Sequence, residues 1–494
     1  MNLFLILQMA ADAMPHRIAM VSGNDRLSFA DLHRLATGAA HLAGHGRKIA
    51  YLAENSAAAP VALFGAAWAG AAYVPINYRL AGETTAALLR RLGPHLLIAD
   101  PRQQDDSREC IAPAAFIAAC AAAAADGREP AQAEGGIAVE LFTSGTTGPP
   151  KAAILRHDNL LAYILGAVEF MGAAEDEATL VTVPPYHIAG ISAVLSSAYA
   201  GRRIVQLPSF TPEAWVRLAR EEQVTQAFVV PTMLQRIVAF ARQNGGLELP
   251  RLSAIAYGGG KMPQSVIEAA MELLPDVAFT NAYGLTETSS TIALLGPEDH
   301  RAAATATDPQ VRRRIASVGR PLPGLEIEVR GQDGACVAVG EIGDLYVRGD
   351  QVSGEYHETG SLCDADGWFA TRDRASCDAE GFLFLDGRAD DVIVKGGENI
   401  SPGEIEDVLA AHPAIAEAAA VAIPDEEWGE AIGLAVVIHD GAMAPATAEL
   451  ADLIRSNLRS SRVPSVIRYY PQLPYNETGK LLRREISAML ADPA

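Results

Sequence analysis

Cysteine is scarce: Cys110, Cys120, Cys336, Cys363 and Cys377 are the only five in 494 residues. They show no CxxC spacing and no accompanying histidine array, which argues against a disulfide scaffold. Free thiols in a reducing compartment are expected, with the cytoplasm as the default location. Long apolar runs are also missing. Leu3 to Leu7 falls far short of the ~20 residues that a spanning helix needs, and no basic region precedes it. Ala112 to Ala125 is interrupted by Pro113 and Cys120 and closed by Asp126-Gly127, so it reads as a helix or loop and no membrane span is expected. Positive charge is in deficit, with 39 Lys and Arg against 60 Asp and Glu and a net charge of −21. A surface that negative repels a phosphate backbone, which excludes nucleic-acid binding as the main role.

What is present is a globular composition: 49% hydrophobic and 20% charged residues, with 43 Gly and 29 Pro scattered along the chain. At roughly 150 residues per domain the length allows about three folding units. In the first half, short β-branched runs alternate with Ala/Leu-rich helical stretches: Ile137 to Phe142 then Leu160 to Met171, Arg203 to Leu207 then Pro212 to Glu222, Ala227 to Val230 then Met233 to Arg242. That rhythm predicts α/β layers around mostly parallel sheet. Pro and Gly punctuate the strand ends at Val183-Pro184-Pro185, Val230-Pro231 and Tyr257 to Gly260, where an open sheet gathers its ligands. From about Ser317 the texture turns to short strands and turns, a small β-rich subdomain. After Gly387 to Asp391 it changes again: Pro402 to Ala411 and Ala448 to Leu458 read as helices, Ala419 to Ile423 and Ala435 to Ile438 as strands. The expected division is a large N-terminal domain of layered α/β sheets, 1–387, and an α+β C-terminal domain, 388–494.

The most informative segment is Thr143-Ser144-Gly145-Thr146-Thr147-Gly148-Pro149-Pro150-Lys151, directly after an apolar strand. Glycines let backbone amides approach phosphate oxygens, the hydroxyls add donors, and Lys151 supplies positive charge at the loop's end. The pattern points to polyphosphate. It is not a Walker A loop, which counted from Gly145 needs Gly at 150 and Ser or Thr at 152; Pro150 and Ala152 stand there.

This loop resembles the signature of the adenylate-forming superfamily, which includes acyl-CoA synthetases, nonribosomal adenylation domains and luciferases. Further matches follow in the family's order. Tyr283-Gly284-Leu285-Thr286-Glu287 is similar to its aromatic-Gly-x-Thr-Glu motif and Gly367 to Asp373 to its ribose-binding segment. Gly387-Arg388-Ala389-Asp390-Asp391 is similar to its hinge, and Leu473 to Lys480 to its lysine-bearing motif. The likeness runs from about Leu27 to Leu482, nearly the whole chain.

The resemblance implies ATP, Mg²⁺ and a small-molecule carboxylic acid as ligands, with Lys480, Thr286 and Glu287 catalytic. Tyr283 suits stacking on adenine, beside Gly259 and Gly284, and Glu287 is a hard oxygen ligand for Mg²⁺. Asp373 is implied to accept the ribose hydroxyls, with Arg388 as a charged donor; taken alone the two read as a surface pair. Lys480 is implied to bridge the carboxylate and the α-phosphate, and the C-terminal domain to be mobile about Asp390. Lys395-Gly396-Gly397-Glu398 is similar to the pantetheine loop of coenzyme A ligases, which favours CoA as acceptor over a carrier protein. The same residues also read as a helix entry, with Ser401 as cap and Glu404 three residues on. A carrier-loading enzyme and a catalytically degenerate nucleotide-binding relative stay open, as does a homodimer.

The acyl pocket is expected among Tyr186, His187, Gly258 and Gly260. His187 reads equally as a gate and as a satisfied core histidine, and Lys261 as a contact to a polar substituent or a surface lysine. Arg236 matches a position where malonate-activating relatives carry arginine, but Ala282 replaces the second arginine expected before the tyrosine, which disfavours a dicarboxylate. One departure stands out: Arg372 replaces the glycine usual in Thr-Gly-Asp.

Overall fold

Runs of β-branched and small apolar residues become strands, and the prolines and glycines after them open the loops. A computed structural model describes the chain except for residues 45, 102–109, 126–135, 144–149, 389–390, 396–397, 426–427, 440, 477–480 and 492–494 and the side chain of Asn399. The chain divides into two compact units: Met1–Ile315 with Arg320–Glu326 and Val347–Phe369, and Ala316–Gly319 with Ile327–Tyr346 and Ala370–Ala494.

The first unit holds two sheets. The larger, nine strands among the described residues, runs Arg320–Pro321, Ser290–Leu295, Ala278–Leu285, Ala254–Gly258, Gln226–Val229, Ala178–Val181, Arg203–Gln206, Ile18–Ser22, Asp25–Ser28. Its six central strands are parallel and its edges antiparallel. The smaller, seven strands, runs Gly360–Ser361, Glu355–Tyr356, Lys151–Arg156, Ile137–Thr143, Tyr73–Pro75, Lys48–Leu52, His95–Ala99. Helices Phe4–Ala13, Phe29–Ala43, Ala58–Trp68 and Ile188–Ala200 fill the space between, in a core that takes Tyr51, Tyr73 and Val139 from one sheet and Met20, Val181 and Ile204 from the other. A second core covers the outer face of the larger sheet with helices Pro212–Glu221, Pro231–Asn244 and Gln264–Leu273.

Local chemistry explains these helices. Pro212–Glu221 starts because the Thr211 hydroxyl accepts the Ala214 N–H at 3.1 Å and Pro212 needs no N–H partner in the first turn. Its Trp215, Val216 and Ala219 are buried. The Ala-rich Pro113–Ala124 is a helix of 12 residues, and among the described residues no helix is long and apolar enough to cross a membrane.

One local expectation needs revision, and one strand goes unannounced. The helix predicted at 160–171 runs His157–Ala167, because the chain turns extended at Val168. Lys151–Arg156 has Ile154 as its one strand-favouring residue among Ala, Leu, Lys and Arg, yet pairs antiparallel with Ile137–Thr143. Tertiary pairing overrides propensity there.

Glu326–Arg330, Gly343–Arg348, Phe369–Cys377 and Leu383–Arg388, most of whose residues belong to the second unit, make a four-stranded sheet. A further sheet joins Glu398–Ile400, Ile393–Lys395, Gly429–Ile438 and Ile415–Asp425, with Val466–Tyr469 pairing parallel to Gly429–Ile438. Helices Pro402–Ala410, Thr447–Asn457 and Arg483–Ala491 pack on it around two cores.

Candidate active site

Four of the segments singled out in the sequence leave four neighbouring parallel strands at their carboxyl ends. Tyr186 and His187 follow Ala178–Val181, Val230 follows Gln226–Val229, Gly258 to Gly260 close Ala254–Gly258, and Tyr283 to Glu287 close Ala278–Leu285. The topology thus gathers the proposed acyl and adenine residues along one sheet edge, the place where open α/β sheets bind ligands.

Glycine is obligatory at two of these positions. A Cβ on Gly258 would lie 2.2 Å from the Ala282 carbonyl oxygen, and one on Gly284 would lie 1.7 Å from that of Ser290. Gly284 sits at the register shift between Tyr283 and Gly284 where the strand meets Ser290–Leu295. The chain then makes a one-turn helix, Thr286–Thr288. Ser289 and Ser290 follow with φ of 57° and 121°, a conformation that costs non-glycine residues energy.

That strained turn is braced from one segment. The buried Gln351 donates from Nε2 to the carbonyls of Thr288 (3.1 Å) and Thr291 (2.8 Å). The N–H groups of Ser353 and Gly354 donate to the Glu287 carbonyl at 2.9 and 3.0 Å. The Tyr356 hydroxyl donates to Glu287 Oε1, and the Lys151 ammonium lies 5.9 Å from the centroid of the Tyr356 ring. Tyr356 has no motif to announce it; it belongs to a two-residue strand paired with Lys151–Arg156.

Thr143 and Lys151 are cross-strand partners, so the glycine-rich loop joins two antiparallel strands. A Walker loop joins a strand to a helix, and the topology therefore repeats the distinction that the letters make. Ser144, Gly145, Thr146, Thr147 and Gly148 lie outside the described residues. So do Asp390, Gly396, Gly397 and Lys480.

Glu287 suits a hard cation. Among the described residues Tyr356 is the sole partner of its carboxylate, which leaves Oε2 open. No group of three or more His, Cys, Asp or Glu side chains able to hold a metal occurs among the described residues. One carboxylate completed by substrate phosphates is the usual manner of binding Mg²⁺.

His187 caps helix Ile188–Ala200, its Nδ1 accepting the Ala189 N–H at 3.2 Å, and burial pushes its pKa down to about 4. The ring is therefore neutral at pH 7 with its proton on Nε2. Tyr186 meets Tyr78 edge-on at 5.6 Å. Gly259, Gly260 and Lys261 are exposed. Arg236 is exposed and stacks on Phe210, 5.2 Å from the ring centroid.

In the second unit, Asp373 and Arg388 are opposite each other on neighbouring strands, with Arg388 Nε donating to Asp373 Oδ1 at 3.1 Å. Asp373 is 7% exposed, so the pair is not a solvated one. Thr371 orients it: its hydroxyl donates to the Leu345 carbonyl at 2.8 Å and accepts the Asp373 N–H at 3.1 Å. Arg372 between them has φ of 64° and is exposed. The backbone thus keeps the conformation suited to glycine although the side chain is arginine. Arg372→Gly is expected to raise stability by about 0.5–1 kcal/mol in urea unfolding, through relief of left-handed strain. A lower KM for ATP in the same variant would show that the arginine also obstructs the nucleotide.

Lys395 and Glu398 face each other across the Ile393–Lys395 and Glu398–Ile400 pair. Arg462 donates to Glu398 and, through Nε at 2.8 Å, to Glu404; the hydrogen bond from Arg462, with a further one from Ser461, holds the Glu398 carboxyl below its usual range. The expected cap at Ser401 does not form as a side-chain cap. Its hydroxyl donates instead to the Asp386 carbonyl at 2.7 Å, and Pro402 occupies the first helical position.

The family model "AMP-binding enzyme" matches residues 7–357, and "AMP-binding enzyme C-terminal domain" matches 404–480. A feruloyl-CoA synthase of an Amycolatopsis species is 32% identical over 486 residues, 96% of each chain. An indoleacetate–CoA ligase of Aromatoleum aromaticum is 30% identical over 90% of this chain and 89% of its own. The o-succinylbenzoate CoA synthetase MenE of Bacillus subtilis, solved with its acyl-adenylate, superposes with a TM-score of 0.82 at 26% identity, covering 99% of this chain and 98% of its own. That synthetase is also known with ATP and a magnesium ion.

Proposed function

The chain belongs to the AMP-binding enzyme family, and we propose that it joins an apolar monocarboxylic acid to coenzyme A through an acyl adenylate. It is an AMP-forming acid–thiol ligase. The observation that carries the finer reading is the brace around Glu287, which ties a metal-competent carboxylate to the strand pair bearing the phosphate loop.

In the first half-reaction an acid oxygen attacks the α-phosphorus of ATP, and the bond to the bridging oxygen breaks to release pyrophosphate. In the second, the thiol sulfur attacks the acyl carbon, the thiol proton is lost and AMP leaves. No enzyme nucleophile is needed; positioning and electrostatics do the work. Thr143 to Gly148 and Lys151 cradle the phosphates, and Mg²⁺, when bound, offsets the charge of the leaving pyrophosphate. Tyr283, with Gly259 and Gly284 beside it, takes adenine. Thr286, whose hydroxyl has no partner among the described residues, donates to the α-phosphate. Asp373 accepts the ribose hydroxyls and Arg388 supports it. Lys480 meets the two anions as they join.

Residues 388–494 act as the mobile domain with Asp390 as hinge, and Lys395, Gly396, Gly397 and Glu398 flank the thiol's path. An apolar, singly charged acid is favoured by the neutral His187, the outward Arg236 and the uncharged Ala282. The acids in the names of the two relatives are aromatic, which sets the first panel.

The test is ATP-dependent pyrophosphate release over aromatic and short, medium and long aliphatic acids, with and without CoA. Release that needs an acid, rises with CoA and falls at least a hundredfold in Lys480→Ala supports the reading. Release without a CoA thioester would instead identify a carrier protein as acceptor. No release from any acid would leave a nucleotide-binding protein without the chemistry.

A further inference from the structure

We propose that Tyr356 is a positioning residue that fixes the Glu287 carboxylate for a divalent cation and couples it to Lys151 at the base of the phosphate loop. The proposal rests on the reading of Glu287 as the metal ligand. Four observations carry it. Tyr356 is the sole partner of the Glu287 carboxylate among the described residues and engages only Oε1, leaving Oε2 to face a cation. The Glu287 backbone is independently pinned by the N–H groups of Ser353 and Gly354, from the same segment as Tyr356. Gln351 holds the two carbonyls on either side of the strained Ser289 and Ser290. Lys151 lies against the face of the Tyr356 ring, where the ring quadrupole attracts its charge.

A glutamate side chain left to itself samples several rotamers and loses them when it binds a cation. A charge-assisted hydrogen bond to one oxygen selects a rotamer beforehand without using the oxygen that the cation needs. Partners of this outer kind commonly account for a tenfold to hundredfold change in metal affinity. The same ring sets where the Lys151 ammonium rests, so one tyrosine orients both an anionic and a cationic ligand of the triphosphate.

Tyr356→Phe removes the hydroxyl and keeps the ring beneath Lys151. Binding of Mn²⁺ to the full-length protein with saturating α,β-methylene-ATP, read by electron paramagnetic resonance, separates the alternatives without turnover. The expected result is a Kd weakened about tenfold in Tyr356→Phe, with a thermal midpoint within about 2 °C of the parent. Glu287→Gln, measured beside it, is expected to weaken binding further. A Tyr356→Phe Kd within twofold of the parent, or tighter, while Glu287→Gln is weakened, overturns the positioning role alone. A Glu287→Gln Kd within twofold of the parent overturns the metal role of Glu287 and the proposal with it.

Discussion

Replacing Glu287 with glutamine is expected to lower acid-dependent pyrophosphate release by about two orders of magnitude or more, at saturating ATP and acid. The substitution is nearly isosteric. The amide oxygen of glutamine can still accept the Tyr356 hydroxyl, and the backbone contacts from Ser353, Gly354 and Gln351 do not involve this side chain. What is lost is one negative charge at the point where cation and polyphosphate meet. A neutral amide lacks the charge of the carboxylates through which Mg²⁺ is usually held, and a charge-stabilising contact that acts in the transition state is commonly worth 10²–10³ in rate. Initial rates across a Mg²⁺ titration check this, with the urea midpoint as control for folding. A rate within threefold of the parent at every Mg²⁺ concentration would remove Glu287 from the metal role.

Much of this site is legible in the sequence because its residues belong to loops that close parallel strands. Gly258, Tyr283 and Glu287 are written as local punctuation, and strand order then brings them together. Gly284 is legible for a similar reason: the close approach of the Ser290 carbonyl admits only glycine. Residues whose roles depend on distant partners are not legible. Tyr356 acts on a carboxylate 69 positions away through a two-residue strand, too short to leave a pattern. Lys151–Arg156 is composed, Ile154 apart, of good helix formers and becomes a strand only beside Ile137–Thr143. At Arg372 the letters suggest a broken motif, whereas the backbone shows the conformation retained. Ser401 has the residue type of a cap, but a nearby carbonyl competes for its hydroxyl.

A second long-range pair governs the strand that carries the phosphate loop, and Lys48→Met is expected to destabilise the first unit by about 3 kcal/mol or more. Glu140 lies in Ile137–Thr143 and is 2% exposed. Lys48, two strands away across Tyr73–Pro75, reaches it with Nζ 2.7 Å from Oε1 and 2.8 Å from Oε2. Burial makes the pair asymmetric: removing the lysine strands a carboxylate away from water, which typically costs 3–5 kcal/mol. Removing both charges together is often neutral, because neither desolvation cost remains. Lys48→Met/Glu140→Leu is therefore expected to recover most of the loss. A coupling energy of about 2 kcal/mol or more between the two positions would then appear in urea unfolding. A single variant within about 1 kcal/mol of the parent would mean that water or a shifted proton already compensates Glu140. The double variant also tests function, since Thr143 ends the same strand and opens the phosphate loop. If the pair serves stability alone, the double variant keeps the parent's KM for ATP; a KM raised severalfold at restored stability would show that the pair also sets where that strand holds the loop.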